Sequence, residues 1–431
     1  MNKNIKLAVA GAVLAMSASA ANAGIIIPAG DWTLDINGNV NAYANWTKAD
    51  HADVITGGLA KSKDALGEDK TQGINTGLLP SWLGFTGTTR QNDTDVSFTI
   101  SMQPNVSDNA AAGDAKTPLF RQSFLTFGDK SWGSVKLGKD IGIFASDAIL
   151  NDMTLLGVGA GALNSGASTT LGGIGSGYIY AAWKGQVAYT TPNFNGFQAT
   201  VGVTQAWNAH TSGNVSEADV TITGTTAANQ VITATDAVAS GFGGTGRGGS
   251  QSAYEGKASY SFAADALTGK VWVGGATYKA KNAYGADSVT AYYENTASVA
   301  DLGANLSVGN VGVTGYYYTG EGVGTTAMFL NSHSATGQKR DSDGGYGQLT
   351  YTLPTKTKIG AAYGVSRLDM ASGEASSSAF VKENKRYTLG AYHPLTKHLN
   401  LVAEWNDIES KAHNGDKNES TNVSLGAILF F

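Results

Sequence analysis

The sequence predicts an all-β fold, a transmembrane antiparallel β-barrel of about sixteen strands, from three observations. Segments that alternate apolar and polar residues recur along the chain after residue 24. The connections between these segments are alternately short and long. The chain has 57 Gly, 18 Tyr and only 7 Pro, and its mean hydropathy of −0.13 is too low for a helical membrane protein. Barrel strands alternate lipid-facing and water-facing residues, so such a chain can cross a bilayer at low average hydropathy.

The first 23 residues have the layout of a secretory signal peptide. Lys3 and Lys6 precede the apolar run 7–16, and Ala21-Asn-Ala23 supplies the small residues of a cleavage site. The apolar run is about half of the ~20 residues that a spanning helix needs. We therefore expect cleavage after Ala23. We expect one domain over 24–431, because no linker or change of periodicity divides it.

The composition narrows the classes of function. The chain has no Cys, which excludes disulfides, thiolate catalysis and thiolate metal sites. Loss of the two leader lysines leaves a net charge of about −7, which argues against nucleic acid as a partner. No nucleophile elbow, phosphate loop or dinucleotide fingerprint stands in a suitable setting, and the six His show no metal-ligand spacing. The sequence therefore predicts neither an enzyme nor a cofactor.

The first predicted strand, 31–46, is the clearest. Its even positions from 32 to 46 are Trp, Leu, Ile, Gly, Val, Ala, Ala and Trp, whereas its odd positions are almost all polar. Strands of soluble proteins are typically about 5–6 residues long, but this alternation lasts for about fifteen. That length suits a tilted strand that crosses a membrane and reaches past its interface.

Fifteen further segments show the same period of two, and the connections between them alternate in length. The other predicted strands are 73–90, 94–106, 118–129, 133–141, 176–190, 196–209, 252–264, 268–280, 298–309, 311–319, 344–353, 357–368, 385–393, 398–408 and 419–431. The short connections are 91–93, 130–132, 191–195, 309–310, 354–356 and 394–397. The long ones are 47–72, 107–117, 142–175, 210–251, 281–297, 320–343, 369–384 and 409–418. Short periplasmic turns and long outer loops are typical of an outer-membrane barrel.

The chain ends on an amphipathic strand that closes with an aromatic residue. From Thr421 to Phe431 the odd positions are mainly apolar, and positions 422, 424 and 426 are Asn, Ser and Gly. A terminal ring can lie in the aromatic girdle at the membrane interface. This strand resembles the C-terminal strand of bacterial outer-membrane proteins, which implies that Phe431 is part of an assembly signal. We expect the last strand to pair with the first.

Three internal motifs resemble those of Gram-negative general porins. They are Ser81-Trp-Leu-Gly-Phe-Thr-Gly87, the pair Phe120-Arg-Gln-Ser-Phe124 and Lys136-Leu-Gly-Lys-Asp140, and Tyr189-Thr-Thr-Pro-Asn-Phe-Asn-Gly-Phe197. Their order along the chain is more specific than any one of them. The resemblance implies a homotrimeric diffusion porin of the outer membrane. Such a protein lies in the lipid bilayer and passes small hydrophilic solutes and ions, with its third loop folded into the lumen.

The candidate third loop, 142–175, is the predicted constriction. It carries Asp147 and Asp152 early, followed by the uncharged small-residue stretch 157–177. A sixteen-stranded barrel is too wide for its own side chains to fill, so selectivity depends on the narrowest point. We expect this loop to fold inward; the alternative is an external loop without structure.

The wall opposite the loop carries few of the family's usual cations. General porins place a ladder of arginines there, and Arg121 matches one of its positions. Trp82 replaces a second position, and Lys184 lies near a third and faces inward by parity. Trp82 either narrows the pore or, in the other register, faces lipid. Few wall cations and the net charge together predict a weak preference for cations.

Two other classes of function stay open from the sequence. An outer-membrane barrel enzyme would need a convergent acid and His or Ser and His group at one rim. An adhesin would use the long loop 210–251 as a binding surface. Conductance across a planar bilayer separates both from a porin, because neither requires large, persistent ion currents.

Overall fold

In the computed structural model of the protein, the described residues are 24–64, 66–104, 106, 119–161, 169–205, 221–223, 231–233, 253–284, 291–334, 338–374 and 379–431. The predicted leader 1–23 lies outside them, as does most of loop 210–251. Within the described ranges, no helix has the length and apolar character needed to cross a membrane.

Sixteen antiparallel strands close into one barrel, as predicted. The strands are β1 Ile25–Ala29, β2 Trp32–Ala49, β3 Lys70–Asn75, β4 Trp82–Gln91, β5 Thr94–Gln103, β6 Leu119–Asp129, β7 Gly133–Ile141, β8 Trp183–Thr190, β9 Phe197–Thr204, β10 Thr221–Thr223, β11 Val231–Thr233, β12 Ala253–Ala264, β13 Leu267–Tyr284, β14 Ala291–Val308, β15 Val311–Glu321, β16 Asp341–Thr352, β17 Lys358–Leu368, β18 Val381–Pro394, β19 Leu399–Ala412 and β20 Lys417–Phe430. The barrel comprises β2, β4–β9 and β12–β20. The short strands β1 and β3 add to β2, and β10 pairs with β11.

The first and last barrel strands meet as the sequence predicts. β2 pairs with β20 from Asn39 opposite Phe430 to Ala49 opposite Ser420. Beyond this register, Gly38 and Phe431 exchange two backbone hydrogen bonds of 2.8 and 3.1 Å. The contact between β2 and β20 is called the closing seam below.

Alternate residues along each strand face the outside and the inside of the barrel wall. On β19 and β20, Leu401, Trp405 and Leu425 are exposed on the outer face, whereas Val402 and Glu404 are buried inside. Successive side chains of a strand point to opposite faces, so an alternating sequence gives a wall with an apolar exterior.

Several predicted boundaries were wrong. The two clearest failures arose because tertiary contacts override periodicity. The predicted strand 73–90 is divided into β3 and β4, since residues 76–81 turn inward and the Leu78 N–H donates to the Gly157 carbonyl at 2.8 Å. The predicted strand 176–190 begins only at Trp183, because the residues before it belong to the inward loop. The predicted loop 281–297 is shorter, because β13 and β14 stay paired as far as Tyr284 and Ala291.

The described residues of the loop between β7 and β8, 142–161 and 169–182, fold into the barrel as predicted. The loop forms helix α1, Ser146–Leu150, and a 3-10 turn, Met153–Leu156. Its buried side chains pack on aromatic residues of the wall. This cluster includes Phe144, Ala148, Ile149, Tyr178 and Ile179 from the loop and Trp272, Tyr278, Tyr316, Tyr318 and Tyr346 from the wall. The loop between β7 and β8 is called the inward loop below.

Two further segments reach the same part of the interior. Near residue 59, the Leu59 N–H donates to the Ser410 hydroxyl at 2.9 Å. After β15, Thr326 accepts a hydrogen bond of 2.8 Å from the Tyr180 N–H of the inward loop. Both segments bury residues beneath β12–β20, so this half of the wall, called the filled side, is covered from within.

Candidate pore and constriction

Glu255 on β12 holds the start of the inward loop. Its Oε2 accepts the backbone N–H groups of Ile143 at 2.7 Å and Phe144 at 2.9 Å. Its Oε1 accepts the Tyr278 hydroxyl at 2.8 Å and contacts the ammonium of Lys184. The Thr204 hydroxyl also donates to Oε1, at 3.2 Å. Five hydrogen-bond donors therefore surround one buried carboxylate, an arrangement that allows an ion pair to stay buried.

Lys184, a predicted constriction residue, lies inside this network. Its side chain has no exposed surface, and its ammonium lies between Glu255 and the Tyr278 hydroxyl, 3.3 Å away. The positive charge is therefore compensated within the wall. A role in the constriction stays a prediction for this residue.

Asp147 fixes α1 to the wall through two lysines. Its carboxylate accepts a 2.9 Å hydrogen bond from Lys257 Nζ and contacts Lys270 Nζ, from neighbouring strands. Burial alone would raise the pKa of Asp147, but the two ammonium groups lower that pKa from 3.8 to about 2. The carboxylate is thus ionised at neutral pH and is turned towards the filled side.

Asp152 joins two parts of the inward loop to each other. Its Oδ1 accepts the Thr154 N–H at 2.9 Å, and its Oδ2 accepts the Gly173 N–H at 2.9 Å and the Tyr178 hydroxyl at 2.8 Å. The guanidinium of Arg386 lies 3.9 Å from the same Oδ2. Like Asp147, Asp152 is buried, and its predicted position opposite Arg121 stays a prediction.

Glu404 on β19 holds the middle of the inward loop. Its Oε2 accepts the N–H groups of Val158 at 2.9 Å and Gly159 at 2.8 Å, and its Oε1 accepts the Tyr392 hydroxyl at 2.6 Å. A Cβ at position 157 would lie 1.9 Å from Oε1, so Gly157 is required for this close approach. The alternation of β19 turns Glu404 inward, but alternation does not indicate this role.

Arg121 lies in a β-bulge near the long-loop end of β6. Gln122 pairs with Ser101 and Phe120 with Met102, so Arg121 has no partner across the strands. Its N–H donates to Gln103 Oε1 at 3.1 Å. The residue is partly exposed, and its guanidinium makes no ion pair within the described residues. A bulge can re-aim a side chain next to a functional site.

Trp82 points inward, one of the two orientations that the sequence left open. It is 8 % exposed and belongs to a cluster with Tyr43, Leu79, Met153 and Phe430. Its indole Nε1 is 3.5 Å from Asn37 Oδ1. The ring therefore lies where the wall meets the edge of the inward loop.

The opposite half of the wall, β4–β9, is called the open side. Its inward residues are mainly Thr, Ser and Gln, and several keep part of their surface exposed. These include Thr86, Ser97, Thr126, Lys136 and Thr200. Within the part of the chain that the structure describes, no hydrogen bond joins the inward loop to β4, β5 or β6. The loop thus rests on the filled side and leaves β4, β5 and β6 uncovered.

Phe431 completes the closing seam. A Cβ on Gly38 would lie 2.9 Å from the Phe431 ring and 2.2 Å from the Trp82 carbonyl oxygen, so only glycine fits between them. The last ring therefore packs against the backbone of β2. Its role as an assembly signal stays a prediction.

The chain is similar to known proteins in sequence and in fold. The profile of the family described as Gram-negative porin matches residues 8–413. No curated protein sequence matches the chain. The fold is similar to the outer membrane channel DcaP of Acinetobacter baumannii, with a TM-score of 0.62, 16% identity, and coverage of 95% of this chain and 100% of that one.

Two other solved structures are similar at the level of the fold. The anion-selective porin from Comamonas acidovorans gives a TM-score of 0.56 at 16% identity and covers 93% of this chain and 100% of its own. The trimer form of OmpT, an outer membrane protein of Vibrio cholerae, gives 0.51 at 14% identity and covers 93% and 99%.

Proposed function

The chain belongs to the Gram-negative porins, and from that premise we propose where solutes pass through this barrel and what narrows their path. The protein lies in the outer membrane and forms a water-filled channel for passive diffusion of small hydrophilic solutes and ions. Family membership favours this channel over the barrel enzyme or the adhesin that the sequence left open.

The proposed passage runs along the open side, between the inward loop and β4–β9. The observation that carries this proposal is the one-sided contact of the loop, whose hydrogen bonds go to β2 and to strands of the filled side. Hydroxyl side chains such as Ser97, Thr126 and Thr200 can replace part of a solute's hydration shell. On this wall the charge of Lys136 is paired with Asp140, so most of the surface is neutral and polar and suits neutral solutes as well as ions.

Arg121 is the proposed fixed cation of the constriction, with Trp82 at its edge. Arg121 is partly exposed and unpaired within the described residues, so its field is not cancelled locally. Asp147, Asp152 and Lys184 would act differently, because their charges are compensated by buried partners. We propose that these three residues set the width of the passage by fixing the inward loop.

Planar-bilayer recording tests the proposed function directly. We expect large, persistent currents in KCl, a reversal potential close to zero with a slight cation preference, and uptake of sugars into liposomes that falls with sugar size. A folded protein that gives no current would contradict a diffusion channel. That result would favour an enzyme or an adhesin instead.

We further propose a homotrimer with a cleaved leader. Support for the trimer comes from the family and from the OmpT structure described as a trimer form. Mass measurement of the protein in mild detergent should give three times the mass of one chain. N-terminal sequencing of the protein from outer membranes should begin at Gly24; a start at Met1 would contradict the cleavage.

A further inference from the structure

A cavity of about 370 Å³ lies between the inward loop and the filled side, at the rim of the short turns. It extends from Leu150 and Asn151 of the loop to the turn Gly309–Asn310 between β14 and β15. Short turns face the periplasm in outer-membrane barrels, so the cavity lies on the periplasmic side of the loop. Its volume is at the low end for ligand pockets, which suits one small solute.

The lining of this cavity has an apolar half and a polar half. The inward loop presents the apolar residues Leu150, Met153, Leu155 and Leu156, and Leu79 and Phe430 lie beside them. The wall side presents amide and hydroxyl residues, among which Ser307, Asn310 and Thr352 make no side-chain hydrogen bond within the described residues. A ligand there would meet unsatisfied polar groups on one side only.

Lys358, the first residue of β17, supplies a cation in this lining. Its Nζ lies 5.4 Å from the centroid of the Tyr392 ring, and within the described ranges it has no hydrogen bond and no carboxylate partner. The one acidic residue in the lining is Asp152, whose two oxygens already accept three hydrogen bonds and face Arg386. Lys358 is therefore the charge available to a ligand, since a cation beside low-dielectric walls attracts an anion.

We propose that this cavity binds small organic monocarboxylates that have an apolar body. The carboxylate would accept hydrogen bonds from the Lys358 ammonium and from the Ser307 or Thr352 hydroxyl. The body would lie against the leucines of the inward loop. This inference rests on the proposed function, because the ligand reaches the cavity through an open channel. Binding must be weak, on the order of millimolar, for the channel still to release its solute.

Block of KCl current by benzoate tests the site, with uncharged benzamide as the isosteric comparison. We expect benzoate to reduce the wild-type current saturably, and benzamide to need at least a tenfold higher concentration. Lys358→Met should raise the half-blocking concentration of benzoate at least tenfold, whereas Lys358→Arg should largely keep it. Lys356→Asn is the matched control, since it removes an exposed lysine from the adjacent turn, where Lys356 has a φ of 66° that Asn tolerates.

Equal block of wild type and Lys358→Met, or equal block by benzoate and benzamide, would overturn the proposal. The second result would make the cavity a site for neutral solutes. If Lys358→Met does not fold, Asn310→Asp decides instead, because a carboxylate on that exposed turn should weaken benzoate block by repulsion. A channel that conducts KCl but ignores benzoate contradicts this inference alone. A protein without KCl current contradicts the proposed function.

Discussion

The filled side and the open side share one strand pattern but differ in what covers their inward side chains. On the filled side, the inward positions include Tyr278, Tyr316 and Tyr346, all buried beneath loops. On the open side, the inward positions include Ser97 and Thr126, which keep part of their surface exposed. Large aromatic residues give a loop an apolar surface to bury, whereas small hydroxyl residues offer water a better partner. The size and polarity of inward residues therefore decide which half of the wall receives the loop.

The two sides also differ in where their carboxylates lie. Glu255 and Glu404 together accept four backbone N–H groups of the inward loop. A buried N–H without a partner costs roughly 1–3 kcal/mol, so these acceptors are necessary where irregular backbone lies inside a barrel. On β4, β5 and β6, the described ion pairs lie at the exposed short-turn rim instead, as between Arg90 and Asp95.

Deleting Phe431 should have the largest effect, because it removes the two backbone hydrogen bonds and the aromatic ring that end the closing seam. We expect a sharp fall in folded protein in the outer membrane, measured by the heat-dependent shift of the band in gel electrophoresis. Replacement of Phe431 by Asp should act similarly, whereas Phe431→Trp should keep an aromatic end and most of the folded protein. Normal insertion of the deletion variant would show that the terminal ring is not an assembly signal.

Glu255→Gln should strongly destabilise the filled side. It leaves Lys184 buried without its counter-ion, which typically costs about 3–5 kcal/mol in the free energy of unfolding. Denaturant unfolding followed by tryptophan fluorescence measures this loss. Asp95→Asn is the control on the open side, since its pair with Arg90 is exposed and should leave the midpoint unchanged. If both variants shift the unfolding midpoint equally, buried ion pairs do not stabilise the filled side more than exposed pairs stabilise the open side.

Acid should break the contact of Asp147 with Lys257 and Lys270 only at low pH. The folded-state pKa of Asp147 is depressed from 3.8 to about 2, so its stabilisation is present above about pH 4 and is lost as pH falls towards 2. This corresponds to about 2 kcal/mol of docking free energy. The change in single-channel conductance that depends on Asp147 should therefore appear only below about pH 4. Asp147→Asn should show the altered conductance already at pH 7; a variant identical to wild type there would argue against this role.

Arg121→Ser should give the smallest change, confined to the open side. Loss of one fixed cation should widen the passage modestly and move the reversal potential in a salt gradient towards cations. Lys130→Ser is the control, because it removes the same charge from an exposed turn, where salt screens charges within ~8 Å. If Arg121→Ser keeps the conductance and reversal potential of the parent, Arg121 does not lie at the constriction.

The sequence was sufficient for those features that depend on local pattern. The sixteen strands, the alternation of turns and loops, and the pairing of the first strand with the last follow from the period of two and from turn residues, because a membrane requires every strand to be paired. The small-residue composition of the loop after β7 also indicated its inward course. Each of these signals is carried by residues close together in the chain.

Only the tertiary structure decided which residues hold the loop and where charge remains exposed. Glu255 contacts amides 112 residues away, and Glu404 contacts amides up to 246 residues away. The alternation of side chains along a strand shows that such residues face inward, but it does not show which segment covers them. For the same reason the sequence could not reveal that Asp147, Asp152 and Lys184 are buried while Arg121 stays partly exposed. It also could not show that residues 76–81 leave the strand to meet Gly157. Period and turn chemistry are local, whereas burial and charge compensation depend on contacts that exist only once the barrel has closed around its loops.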